Sequence, residues 1–420
     1  MNALVGRGSA ETTLSIDDVR QICEEAVSRL SLDGKRVLVL VPDHTRHAPI
    51  GLFFHLLYEM IGKKVRAFDV LVATGTHQAM SLQRIYGHLS ITPEEHRTQY
   101  RNVQFFNHEH NNPAELKELG TIGAEEIARL TGGLFQDELR VTINRRVFEY
   151  DHLLMVTPVV PHEAMGFAGG NKYFFPGIAG LGVLETFHWL AAVITNPEIN
   201  GVKDTPTRRV IDRAAQLIQV PRTCFAFTVN DHHVIACLFA GDPEQAWSRA
   251  ADCSAVLHTR YLDRPHRRIL AVTPDIYEEV WVAGKAMYKL EPVVADGGEL
   301  IIYGPQVREI SFTHGDAIRR IGYHVRDYFL KQWDRFSREP KLILAHSTNV
   351  RGTGSYDHGI ERPRIGVTLA TAIPEDICRS VNLGYRDPRT IDVARWKAGG
   401  GDADFVVENA GQDLYRPRKP

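Results

Sequence analysis

Between Arg36 and Ala73 the chain passes twice from a continuous apolar run into a polar turn, with a helical pattern between the runs. Arg36–Val41 is a continuous β-branched and leucine run, the pattern of a strand buried on both faces, and Ala67–Ala73 reads as the next strand. Such strands need a covering layer on each side. The apolar helix expected over Ile50–Ile61 supplies one, and the strand, loop, helix rhythm predicts an α/β sheet flanked by helices. Upstream, Ile16, Val19, Ile22, Cys23, Ala26, Val27 and Leu30 fall at helical spacing, with Ser15 as N-cap and Asp18 three residues on. Val103–Phe106 and Leu153–Val160 read as further strands, the second running into Pro161-His162.

A chain of 420 residues exceeds the length at which one core usually keeps growing, so two domains are expected. A fresh strand, Arg268–Thr273, follows Arg264-Pro265 and leads into an acidic, helical stretch; Leu300–Tyr303, Lys341–Ala345 and Ile365–Leu369 repeat the strand signature. The expected division is 1–262, 263–394 and a segment 395–420 that packs back on the first domain, each domain holding a mainly parallel sheet. With Lys+Arg 49 against Asp+Glu 51, no basic field exists to attract nucleic acid. The expected partner is a small molecule. Five scattered cysteines without a Cys-x-x-Cys pair suit a reduced, cytoplasmic chain. The start lacks an apolar run behind basic residues, and no apolar stretch approaches 18 residues, so neither export nor a membrane span is expected.

Three loops carry the chemistry. In α/β sheets ligands sit beyond the carboxyl ends of the strands, where PDHTRHAP (42–49) and ATGTHQ (73–78) supply Asp43, Arg46 and His77. The third, 159–189, reads VVPHEAMGFAGGNKYFFPGIAGLGVLETFHW and holds His162, Lys172 and His188 in a segment too rich in glycine for a helix or strand interior. Each residue also has a plainer reading. His188 has Leu184, Phe187, Ala191 and Ile194 beside it on a helical face, as a half-buried core histidine would. Arg46 could close its own turn as an ion pair with Asp43, and Lys172 could be a solvated surface lysine. On a ligand rim, however, arginine offers a planar fork to a carboxylate, and a desolvated lysine becomes a nucleophile. A phosphate-binding P-loop is excluded because GFAGGNKY lacks the Gly-Lys-Ser/Thr ending.

Taken in order, these residues resemble the lactate racemase family, whose members use a nickel-pincer nucleotide, a nickel-bound pyridinium dithio mononucleotide. The D-x-T-R segment matches Asp43 and Arg46, and the G-T-H segment matches Gly75, Thr76 and His77. The P-H, K, H series matches His162, Lys172 and His188 at the same ten- and sixteen-residue intervals, and a later lysine falls on Lys285 in WVAGKAM. The resemblance implies an isomerase inverting the C2 centre of a 2-hydroxy acid in an interdomain cleft. It implies His188 as the protein's nickel ligand. Lys172, Asp43, Gly169 and Gly170 would hold the cofactor, His77 and His162 would be the two acid/base groups, and Arg46 and Lys285 would hold the carboxylate and polarise the oxygen. Proteins that synthesise the cofactor would be required.

The chain departs from the family where Val282 replaces a glutamine and Trp281 a tyrosine, which leaves the substrate open between lactate and longer acids such as aldonates. The polar run HSTNVRGTGSYDHG (346–359) reads as an exposed loop or as a pocket lining for extra hydroxyls. Two other readings stay open: a zinc-type hydrolase using His77, His162 and His188 as ligands, and a non-catalytic carrier of the nickel nucleotide. The latter would need only Lys172, His188 and the glycine loop.

Overall fold

Ser15 opens the first helix, α1 (Ile16–Ser28). Its hydroxyl accepts the Asp18 N–H at 3.1 Å while the Asp18 carboxylate accepts the Ser15 N–H at 2.9 Å, so two otherwise orphaned donors are satisfied together. The apolar face then buries Val19, Ile22, Cys23 and Ala26. The computed structural model describes residues 4–46 and 48–418, and these form two units interleaved along the sequence. Unit 1 comprises 1–160, 167–184 and 203–257; unit 2 comprises 161–166, 185–202 and 258–420. A single cut near residue 262 has no counterpart in this interleaving, although after Leu257 the chain remains in unit 2.

Unit 1 is built on seven strands: β1 (Val5–Gly8), β2 (Arg36–Pro42), β3 (Ala67–Ala73), β4 (Phe105–Asn107), β5 (His152–Pro158), β6 (Arg222–Val229) and β7 (Ile235–Gly241), in the order β1-β7-β6-β5-β2-β3-β4. The run from β6 to β4 is parallel, and β7 and β1 add antiparallel pairs at one edge. Helix α2 (Ile50–Ile61) has the bounds expected from its pattern. It seats Phe53 on Phe227 with ring centroids 4.7 Å apart and Phe54 against Tyr100 at 5.1 Å. Unit 2 carries an all-parallel sheet of β8 (His266–Val272), β9 (Val294–Gly304), β10 (Gly366–Thr371), β11 (Gly384–Tyr385) and β12 (Phe405–Val407), ordered β11-β10-β9-β8-β12. The α/β class with mainly parallel sheets is as expected. Among the described residues no helix is long and apolar enough to cross a membrane.

Several expectations need correction. Lys341–Ala345 is not a strand but the start of a helix, Lys341–Arg351, since a five-residue apolar run has no period long enough to separate the two. That helix takes in the first part of the polar run, burying His346, Ser347, Thr348 and Asn349, and the remainder forms a hairpin of Gly354–Asp357 with Ile360–Pro363. No exposed loop spans 346–359. The acidic stretch after Thr273 becomes helical only at Val280. The glycine-rich segment is also more ordered than a loop: Pro161–His162 pairs with Gly166–Phe167, a 3-10 turn covers Gly170–Tyr173, and a helix, α3 (Leu181–Ile194), begins one residue after Gly180. The C-terminal segment supplies β12 beside β8, and Leu414–Pro417 pairs with Thr259–Leu262.

Candidate active site

Strands β2 and β3 run in register from Arg36 opposite Ala67 to Pro42 opposite Ala73, so the two following loops leave the sheet level with each other. The Thr74 hydroxyl donates to the His108 carbonyl at 2.6 Å, and Gly75, at φ 57°, turns the chain so that its N–H reaches the Gly177 carbonyl at 3.0 Å. This turn brings His77 Nδ1 to 2.5 Å from Asp43 Oδ2. Asp43 is 4% exposed, and its other oxygen accepts from the Thr45 N–H and hydroxyl at 3.0 and 2.6 Å. Burial pushes the Asp43 carboxyl up, but His77, Thr45 and Arg46 together outweigh it and hold the group well below the usual carboxylate range. An ionised carboxylate only accepts, so Nδ1 of His77 carries the proton and Nε2 is left as the basic nitrogen. Asp43 is spent on His77 and Thr45 rather than on Arg46. Among the described residues the half-buried Arg46 guanidinium has no carboxylate within ion-pair distance, so it does not close its turn as an ion pair.

The glycines downstream are explained by packing. A Cβ on Gly169 would meet the Val159 side chain at 2.7 Å, and one on Gly170 would meet Trp247 Cβ at 2.8 Å. Arg208, 3% exposed, lies 3.9 Å from the Trp247 ring centroid and donates to the carbonyls of Phe167 and Gly169, while the Trp247 indole donates to the Ala168 carbonyl at 2.9 Å. Two side chains on distant helices thus clamp the segment that carries Lys172, which stands half-buried on the 3-10 turn. Trp247→Ala should cost about 3–5 kcal/mol of stability, as truncating a buried aromatic does. Chemical denaturation measures it, and a loss under 1 kcal/mol would refute the clamp.

In unit 2, His162 is 6% exposed; its Nδ1 accepts the Ala164 N–H at 3.2 Å and lies 3.5 Å from the Glu163 carboxylate. Beside it runs helix α4 (Lys285–Leu290), whose buried Lys289 donates to the Pro161 carbonyl at 2.5 Å. Lys285, one turn earlier on the same face, is half-buried, with Nζ 5.4 Å from the Tyr277 ring centroid. Trp281 and Val282 are half-exposed just ahead of it. Behind Trp281 sits His346, with ring centroids 4.1 Å apart, its two nitrogens held by the Tyr288 and Tyr323 hydroxyls at 2.8 and 3.3 Å. On α3, Leu184, Phe187 and Ala191 occupy the core, and His188 is turned to a half-buried position beside Glu185. That degree of burial fits the half-buried core-histidine reading as well as the ligand reading.

Asp43, Arg46 and His77 therefore form one cluster in unit 1, while His162 and the Lys285 helix are neighbours in unit 2. Arg208, Trp247, Lys289 and Glu163 were missed by sequence reasoning, although Glu163 beside His162 and the four-residue spacing of Lys285 and Lys289 were visible signals. All five cysteines are buried and free. Among the described residues no three His, Cys, Asp or Glu side chains are placed to hold a metal ion, so the three-histidine zinc reading gains no support. The half-buried imidazole of His188 is the group that would hold a metal whose remaining ligands come from a cofactor. At Gly169 and Gly170 the side of the backbone where a side chain would stand is filled by Val159 and Trp247.

Residues 16–200 match the family model described as the lactate racemase N-terminal domain. The lactate racemase of Thermoanaerobacterium thermosaccharolyticum is 27% identical over 354 residues, which span 80% of this chain and 73% of that protein. The chain belongs to the lactate racemase family. A crystal structure of a Thermotoga maritima protein matches with a TM-score of 0.86 at 33% identity, covering 97% of this chain and 99% of that one. The lactate racemase apoprotein from T. thermosaccharolyticum shares the fold, with a TM-score of 0.71 at 18% identity over 97% of this chain and 94% of that one. Membership in this family supports a racemase or epimerase function.

The buried histidines set a pH dependence of stability. Burial pushes His108 and His152 down to about 4, and burial with His314 nearby pushes His346 down to about 3. Above pH 6.5 all three are neutral whether the chain is folded or not, so they make no difference there. Below it the unfolded chain takes up protons that the folded chain refuses, and stability falls until the folded values are reached. Between pH 7 and pH 5 each contributes a loss of roughly 2 kcal/mol. Urea midpoints should drop over this range, and His346→Gln should reduce the slope by about one proton; a flat profile would contradict the burial of neutral imidazoles.

Proposed function

We propose that the chain is an isomerase that inverts the C2 centre of a 2-hydroxy acid, with sugar acids such as aldonates within its range. The observation that carries this reading is the Asp43–His77 pair, a buried carboxylate that fixes an imidazole with its Nε2 basic. That nitrogen takes the substrate hydroxyl proton and returns it, which an imidazole does near neutrality. Arg46, with no carboxylate of its own among the described residues, receives the substrate carboxylate. In unit 2, His162 is the second acid/base group, serving the opposite stereoisomer, and Lys285 polarises the oxygen where charge develops.

His188 holds the nickel of a nickel-pincer nucleotide, and Lys172 binds the nucleotide; imidazole suits nickel. When bound, that group supplies a reversible hydride acceptor. The replacement of the family's glutamine and tyrosine by Val282 and Trp281 favours a substrate other than lactate, since a hydrogen-bonding amide is absent at 282. The partners are then a small hydroxy acid and the proteins that make the cofactor, in the cytoplasm.

The test uses protein produced together with the cofactor pathway. Intact mass and nickel content establish loading, and a panel of 2-hydroxy acids deuterated at C2, from lactate to aldonates, is then offered. Inversion with the deuterium retained in the product is expected, because the hydrogen leaves and returns without mixing with water. Loaded protein that inverts no member of the panel, or that exchanges the label with solvent, would overturn the reading.

A further inference from the structure

Unit 2 contains a cavity of about 80 Å³ whose lining includes Thr195, Glu291, Arg326, Thr348, Asn349 and Thr353. Its walls are the carboxyl end of α3 and that of the helix Lys341–Arg351, here α5. The charged groups in the lining are already matched. Arg326 donates to the Asp327 carboxylate at 3.0 Å and to the Val193 carbonyl at 3.0 Å. Glu291, 1% exposed, accepts the Thr353 N–H and hydroxyl at 2.6 Å each and has Arg364 at 4.0 Å. The nearby Asn196 amide is also spent, donating to the Tyr288 carbonyl at 2.8 Å and accepting from Asn200 at 3.2 Å.

What remains is neutral. The Thr348 hydroxyl belongs to a residue only 4% exposed and has no hydrogen-bond partner among the described residues. A helical threonine ordinarily closes onto a carbonyl one turn back, and this one does not. Asn349 beside it, 8% exposed, adds an amide that both donates and accepts. An ion would find no uncompensated charge here, whereas an alcohol both donates and accepts and so complements a hydroxyl and an amide together. At roughly 10–15 Å³ per water-sized site, the volume takes a molecule of three or four carbons with its hydroxyls.

The cavity lies behind the helix that presents Lys285. Gly352, at φ 83°, closes against Met287 and Glu291, since a Cβ there would meet Met287 Cε at 2.4 Å and Glu291 Oε1 at 2.9 Å. Lys285, on the other side of α4, packs instead against Gly411. We propose that unit 2 holds a second binding site, behind the Lys285 helix, for a small uncharged polyhydroxylated molecule such as a three- or four-carbon polyol.

The probe is erythritol, added to the full chain in polyol-free buffer and followed by saturation-transfer NMR. A saturable signal that glycerol competes away is expected. Thr348→Val, which keeps the shape and removes the hydroxyl, should weaken it by about fivefold, the effect of one neutral hydrogen bond. Asn349→Ala should weaken it similarly and decides the matter if circular dichroism shows the first variant misfolded. Lys285→Ala should bind erythritol as the parent does, which separates this site from the proposed reaction. A signal that never saturates, binding by both cavity variants as tight as the parent's, loss of binding in Lys285→Ala, or displacement by inorganic phosphate or potassium would overturn the proposal.

Discussion

His188→Ala yields a folded protein that no longer retains nickel. Alanine is the best helix former, and position 188 is half-buried on α3 while Leu184, Phe187 and Ala191 hold the core contacts, so the helix persists. On the proposed reading the metal would lose its one ligand from this chain. Changing groups that merely orient a metal ligand already costs 10–100-fold in affinity, so removal of the ligand itself should lower nickel affinity by at least about a hundredfold. Elemental analysis after gel filtration of protein made with the cofactor pathway measures this, beside a circular dichroism spectrum. Full nickel retention in the variant would remove His188 from the metal and with it the lone-imidazole reading.

The second large effect falls on the Asp43–His77 pair. His77→Ala should keep its nickel and lose about 10²–10⁴-fold in turnover, the range that a positioned acid/base group contributes. Asp43→Asn tests the same pair differently. An amide nitrogen would donate to Nδ1 and drive the imidazole proton to Nε2, removing the basic nitrogen while the shape is kept. Turnover should therefore fall with little change in KM for the acid, because Arg46 is untouched. If Asp43→Asn turns over at the parental rate, the carboxylate does not set the tautomer.

Much of this was legible in order. The Ser15 cap, the bounds of α2 and the run of β3 follow from side chains within one or two turns of each other, and the structure reproduces them. Short apolar runs were less secure: Lys341–Ala345 has too few residues to display a period, and Leu342, Ile343, Leu344 and Ala345 are all buried, a face-less pattern that fits helix and strand alike. The glycines at 169 and 170 were visible as a special segment, but their reason was not, because the indole that needs their missing side chains is Trp247.

By itself the sequence determined the α/β class, the two strands that bring the 42–49 and 73–78 loops to one end of the sheet, and the ordered set of histidines and lysines that marks the family. Those properties are written in local periodicity and spacing, which need no knowledge of where the chain returns. Only the tertiary structure decided that Asp43 binds the imidazole 34 residues away and that, among the described residues, Arg46 has no carboxylate within ion-pair distance. A carboxylate has several cations within reach along the chain, and register between strands, which brings Pro42 level with Ala73, selects the partner.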